Sequence, residues 1–336
     1  MSEYTAITKD AIVEGTEIEF DLYLRNGSGG NYKYVLFSRG DEQFSPERRE
    51  EILNRNVHAL YISTEDTDKY LKYQEKNLNE IINNENKSDL EKSGAVYQVA
   101  GNIVQDLLDD PKTGENMKRA SEWVNSTVKH IIQNENAFSG LFEVASHDYN
   151  TYTHSVNTSV IGLLFGKYLS LTQHELDCLG IGLLLHDIGK LSIPPKVINK
   201  VGSISGDELK VIKKHPKAGL ELLEHRNYIH ATSLKIVIQH HENQDGTGYP
   251  YGIEGSDIHL FGSIARIIDV YDAMTSNRSY AKAKRPFAVL AEMKEKMSNC
   301  FNEELLKEFI SFLGPKDPRM EIRAEDKLYS TAYATN

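Results

Sequence analysis

Seven side chains able to bind a metal ion are spread between residues 154 and 269 of this chain, each on or beside an apolar, helix-like stretch. The centre of the set is His186-Asp187-Ile188-Gly189-Lys190, which follows the apolar run Leu179–Leu185. A lone His-Asp pair in that place could simply cap a helix. Read outward from it, however, His154 lies on a segment carrying Val156, Val160, Ile161 and Leu164, and His215 stands in Lys213-Lys-His-Pro216. His240-His241 closes the stretch Leu234–Ile238, and Asp269 lies inside Ile264-Ala-Arg-Ile-Ile-Asp-Val-Tyr-Asp272. An unpaired imidazole or carboxylate on an apolar face is a burial defect unless it is hydrogen-bonded or bound to metal. Five His and two Asp are too many for one tetrahedral zinc, and the thiolates of structural zinc are missing. Mixed imidazole and carboxylate ligands suit iron, manganese, zinc or nickel, in a number that suits two ions bridged by a carboxylate.

The order His154, His186-Asp187-Ile-Gly-Lys190, His215-Pro216, His240-His241-Glu242, Asp245-Gly-Thr-Gly-Tyr249-Pro250, Asp269, Asp272 and Arg278 resembles the HD-GYP family. These are bacterial phosphodiesterases that hydrolyse cyclic di-GMP, and the resemblance covers roughly residues 145–300. It implies that Asp187 bridges two divalent ions, most readily iron or manganese, with zinc and nickel as alternatives. His154, His186 and Asp269 would complete one ion's shell, and His215, His240 and His241 the other's. Two ions about 3.5–4 Å apart acidify a water between them and bind phosphate oxygens, which a stable phosphodiester requires. The expected reaction is therefore conversion of cyclic di-GMP to pGpG, and in a further step to GMP.

The same resemblance assigns Lys190 and Arg278 to substrate phosphate, and Tyr249 to a place beside the substrate. Family members often read Arg-Pro-Tyr followed by Arg or Lys, whereas this chain reads Arg278-Ser-Tyr-Ala281, with Lys282 the nearest replacement cation. Members that hold a third ion carry a glutamate four residues before the first ligand histidine. The position here is Asn150, with Asp148 nearby, so two ions are expected. Asp272 is expected to support a ligand, while His58, His147, His174, His225, His230 and His259 are read as ordinary structural residues. Two alternatives stay open: another substrate such as cyclic GMP-AMP, or a weakly catalytic member that binds cyclic di-GMP and signals.

Positioning these groups requires a mainly α fold: an all-helical catalytic bundle preceded by a small α+β domain. Capping boxes at Thr172-Gln-His-Glu175 and Ser205-Gly-Asp-Glu208 start two helices, expected to lead into His186-Asp187 and into His215. Lys190 would share a face with His186 if that helix continued. Upstream, alternation from Thr16 to Leu24 reads as a strand, Asn26–Gly30 as a turn, and Tyr32–Phe37 as the returning strand. Ser45-Pro46 opens a helix, and Val57–Ile62 is a third strand. The expected divisions are a sensor or interaction module at 1–65, a helical connection at 66–135, the catalytic domain at 136–314 and a tail at 315–336. Apolar stripes around Val96–Leu108 and Trp123–Ile132 are expected to pack on the catalytic domain, with a dimer or partner seam as the alternative.

Composition limits the partners. A net charge of −11 disfavours a nucleic-acid polymer but not a small anion, because bound metal ions can dominate the local field. The two cysteines, Cys178 and Cys300, are expected to be reduced and packed, and no leader or membrane span is evident. A cytoplasmic location is the expectation.

Overall fold

The computed structural model describes residues 3–9, 11–28, 31–55, 57, 59–134, 137, 140, 141, 144, 153–200, 202–276 and 283–314. They fall into two compact units that divide between Asn102 and Ile103. In the first unit, β1 (Tyr4–Thr8), β2 (Leu22–Ser28), β3 (Asn31–Ser38) and β4 (Ala59–Ser63) form an antiparallel sheet in the order β1-β4-β2-β3. Helix α1 (Pro46–Asn54) begins as expected, with Ser45 accepting from the Arg48 amide.

Three details differ from the sequence reading. Strand β1 carries no period-2 signal because only Ile7 of its five residues is buried. The alternation from residue 16 does bury Ile18, Phe20 and Leu22, but ladder pairing starts at Leu22, next to a bulge at Leu22/Tyr23. Asn26 and Gly27 remain paired, opposite Lys33 and Tyr32, so the strand runs through the expected turn. Residues 66–102, expected to connect two domains, belong to the first unit. Tyr70 and Tyr73 of α2 (Thr67–Lys76) join its core with Phe20, edge to face at 5.7 and 5.6 Å. Helix α3 (Leu78–Asn83) follows, and the division falls within α4 (Asp89–Asp109).

In the second unit the regular elements among the described residues are helices: α5 (Gly114–Gln133), α6 (Thr153–Tyr168), α7 (Gln173–Leu185), α8 (Pro195–Ile198), α9 (Gly206–Ile212), α10 (His215–Leu223), α11 (Ala231–Gln239), α12 (Leu260–Thr275), α13 (Pro286–Lys296) and α14 (Glu303–Leu313). Val156–Gly166 of α6 and Cys178–Leu185 of α7 are buried throughout, as expected of helices apolar on every side. Val124 of α5 and Leu163 of α6 meet at Gly180 of α7, so the stripe containing Trp123 and Val124 packs on the helices that carry the ligand candidates. Phe309 of α14 packs edge-on against Phe165 and Tyr271, at 5.1 and 5.3 Å, closing the bundle. Both capping boxes form. Helix α9 nevertheless stops at Ile212, and His215 opens the separate helix α10 with Pro216 in its first turn. Among the described residues, no helix is long and apolar enough to cross a membrane.

Tyr73 ties α2 to the first unit's sheet through its hydroxyl, which accepts from the Val13 amide at 2.8 Å and lies 2.6 Å from Thr16 Oγ1. Tyr73→Phe strands that amide and is expected to cost about 1–3 kcal/mol. Urea unfolding followed by tyrosine fluorescence would register the loss; an unchanged midpoint would show that water replaces the hydroxyl.

Candidate metal centre

Three of the ligand candidates share one local device. Each begins or ends a helix and turns its Nδ1 onto a carbonyl three residues earlier: His186 on Leu183 at 2.6 Å, His215 on Ile212 at 2.8 Å and His240 on Val237 at 2.9 Å. A carbonyl only accepts, so each Nδ1 carries the proton and each Nε2 keeps its lone pair. The three Nε2 atoms converge on Asp187. His186 lies 3.5 Å from Oδ2, while His215 and His240 lie 3.3 and 3.8 Å from Oδ1.

His154, near the start of α6, approaches from the other side. Its Nδ1 pairs with Asp272 Oδ2 at 2.6 Å, and Asn157 donates to Asp272 Oδ1 at 3.2 Å. Its Nε2 sits 3.2 Å from Asp269 Oδ1 and 3.7 Å from Asp187 Oδ2, close enough for an ion pair but outside hydrogen-bond geometry. His241 Nδ1 lies 3.8 Å from Asp269 Oδ2. The expected ligands thus gather in two groups: Asp187, His215, His240 and His241, and beside them His154, His186 and Asp269. Within each group, one ligand atom per residue lies within 4.8 Å of the others.

The electrostatics favour a cation. Burial would raise the pKa of Asp187, yet Lys190 holds it well below the usual range; His154 does the same for buried Asp269. Burial pushes His186 down, and pushes His241 down to about 3 and His240 well below its usual value, so these rings are neutral. Burial also opposes charge on His154, but contact with Asp269 and Asp272 outweighs it and raises that pKa to about 9. Positive charge is therefore favoured where His154 meets the carboxylates. The Nε2 atoms of His215 and His240 stand 3.1 Å apart, a contact that a shared proton or a cation satisfies. Nε2 of His154, Nε2 of His186 and Oδ1 of Asp187 are buried without a hydrogen-bond donor. Each such defect costs about 1–3 kcal/mol, and a divalent ion in each group removes all of them. The donor set fits metal.

Backbone contacts that the sequence reading did not anticipate hold this arrangement. A Cβ on Gly189 would overlap the carbonyl of His215 and the amide of Gly219, so only glycine lets α10 approach the turn after Asp187. A Cβ on Gly248 would likewise overlap the backbone at Glu242 and Asn243. The buried Glu242 carboxylate accepts from the amides of Tyr251 at 2.8 Å and Gly252 at 3.1 Å, anchoring the loop after His241. Tyr249 lies beside the two ligand groups: its ring stacks on His241 at 4.6 Å, and its amide donates to the His241 carbonyl. Asp272, expected to support a ligand, pairs with His154; the buried acceptor Glu242 could have been noticed as a carboxylate one residue from a ligand candidate, while Gly189 and Asn157 give no comparable signal.

Lys190 departs from its expected setting. Helix α7 ends at Leu185, and Ile188–Ser192 forms a tight 3₁₀ turn instead of further α-helix. That turn brings Lys190 Nζ onto Asp187 Oδ2, with the lysine side chain still 35% exposed. Arg278, Lys282, Asn150 and Asp148 lie outside the described residues.

Residues 143–305 match the HD domain family. The cyclic di-GMP phosphodiesterase PA4108 of Pseudomonas aeruginosa is 29% identical over 213 residues, covering 63% of this chain and 51% of that protein. The cyclic di-GMP phosphodiesterase response regulator RpfG of Xanthomonas campestris is 32% identical over 214 residues, covering 63% of this chain and 52% of its own. The chain spans about half the length of these relatives. Bd1817, an HDG"Y"P protein from Bdellovibrio bacteriovorus, has a like fold, with a TM-score of 0.64 over 92% of this chain and 99% of that one at 20% identity. The HD pair and these relatives agree with the match at residues 143–305, which are similar to the HD domain of cyclic di-GMP phosphodiesterases, and the fold is like that of an HDG"Y"P protein.

Proposed function

We propose that this chain is a metal-dependent phosphodiesterase that hydrolyses cyclic di-GMP to pGpG, with GMP as the product of a second cleavage. The observation that carries this reading is the placement of the Asp187 carboxylate. Oδ2 faces His154 and His186, and Oδ1 faces His215 and His240. One ionised carboxylate with an oxygen toward each ligand group is what bridging two ions demands. The substrate follows from relatives such as PA4108 and RpfG, which are cyclic di-GMP phosphodiesterases.

In this reading His154, His186 and Asp269 hold one ion, His215, His240 and His241 the other, and Asp187 both. Iron or manganese suits the ligands best, zinc or nickel less well. When bound, the ions supply an acidified water and positive charge against the phosphate oxygens. Asp272 fixes His154 with Nε2 inward. Lys190, exposed beside Asp187, offers a cationic point charge to substrate phosphate. Arg278 and Lys282 are proposed for further phosphate contacts on sequence grounds alone. Tyr249 is proposed to stand beside the substrate, with its ring packed on His241 and the Lys213 ammonium over it. The first unit is proposed as a sensor or interaction module.

Asp187→Ala is expected to abolish turnover of cyclic di-GMP and to remove at least one equivalent of metal from the purified protein. Full turnover with unchanged metal content would rule out the bridge. Lys190→Ala is expected to keep all metal and lower turnover by about a hundred- to a thousandfold, the range for losing one positioned donor in a reacting site. Loss of metal instead would assign Lys190 to holding Asp187. Gly189→Ala forces α10 away from the turn and is expected to reduce metal affinity with the helix content by circular dichroism intact. Retained affinity would mean that the backbone relaxes around the added methyl.

A further inference from the structure

Another set of metal-competent side chains lies on the same two helices that carry His186-Asp187 and His240-His241, near their opposite ends. His174 and Cys178 are one turn apart on α7, and His230 is the N-cap residue of α11. One ligand atom from each lies within 4.8 Å of the other two. We propose that His174, Cys178 and His230 form a second metal site, for a borderline-soft divalent cation of the zinc class, that joins the start of α7 to the start of α11.

The geometry suits such an ion. His174 Nε2 lies 3.8 Å from Cys178 Sγ, near the ~3.5 Å edge of a tetrahedron with Zn–S about 2.3 Å and Zn–N about 2.0 Å. The rings of His174 and His230 meet edge to face at 5.0 Å. His230 Nδ1 accepts from the Thr232 amide at 3.2 Å and lies 3.0 Å from Thr232 Oγ1, so metal binding at Nε2 would move the ring proton to Nδ1 and exchange the amide contact for one to the hydroxyl. Both imidazoles are exposed and the sulfur is buried, so the ion would enter from solvent onto a thiolate sheltered by the bundle. One thiolate and two imidazoles also occur together at zinc sites that leave the fourth position open.

A second sign of missing positive charge lies alongside. Asp177 Oδ1 is buried without a hydrogen-bond partner, and burial raises its pKa against the opposing pull of His174. Burial likewise holds the Cys178 thiol up at about 11, so binding must release its proton. The two helices are already tied here, because Ser233 Oγ donates to the Cys178 carbonyl at 2.8 Å. A cation would therefore reinforce an existing joint. It would brace the pair at one end while the HD ligands leave from the other.

The test is titration of metal-stripped, reduced full-length protein with cobalt(II). The nitrogen and oxygen donors of the HD centre cannot give a sulfur-to-cobalt charge-transfer band, so that band reports this site alone. It is expected in the unaltered protein, in Asp187→Ala and in Cys300→Ser, to vanish in Cys178→Ser, and to be displaced by zinc. His174→Ala, and His230→Asn, which keeps an N-cap side chain, are each expected to weaken cobalt binding at this site on the order of 100-fold. The proposal is overturned if the unaltered protein shows no such band, if Cys300→Ser removes it, or if both histidine variants bind as tightly as the parent. Because Asp187→Ala leaves the band in place, failure here is separate from failure of the phosphodiesterase reading.

Discussion

Asp187 holds a buried negative charge, and the rest of the catalytic half is arranged around it. An isolated carboxylate in such a place would take up a proton. This one is kept ionised by Lys190, while His186, His215 and His154 turn nitrogen atoms toward it. The rings offer lone pairs instead of N–H groups because their Nδ1 protons are engaged by carbonyls at helix ends. Electron-rich atoms thus face one another across a dry site, a configuration that proton transfer cannot relieve at His240 and His241, whose burial opposes charging. Divalent ions would satisfy it directly, and in the proposed reading the same ions would draw an anionic phosphodiester to a chain of net charge −11.

Helix ends do most of the positioning. His186 follows the last residue of α7, His240 follows the last residue of α11, and His215 is the first residue of α10. Side chains there can point along the axis into a common space, which mid-helix positions cannot do. Asp269 is the exception, lying within α12. It reaches the site because α12 also carries Asp272, one turn further on, which fixes His154.

The ligand types and their order were legible in the sequence because buried His and Asp stand out against apolar helix patterns. The capping boxes at Thr172 and Ser205 were legible because their chemistry is local. What escaped was decided by contacts between distant segments. Gly189 matters through the backbone of His215 and Gly219, and Glu242 through amides nine and ten residues later. The end of α7 before Lys190 has no proline, and Gly189, the breaker that is present, lies inside the tight turn and so does not mark where the helix stops. In the first unit, strand β1 has one buried residue and hence no periodicity, and the burial alternation before Leu22 reflects core packing without a continuous ladder. His174, Cys178 and His230 look ordinary in sequence because 52 positions separate Cys178 from His230, and only the packing of α7 on α11 brings them together.

The central claim is that Asp187 bridges two ions, one in each ligand group. Anomalous scattering from crystals of anaerobically purified, iron-loaded protein tests it most directly. The account predicts two peaks about 3.5–4 Å apart, one near each carboxylate oxygen of Asp187. A single peak, or a pair with Asp187 outside both coordination shells, would contradict it.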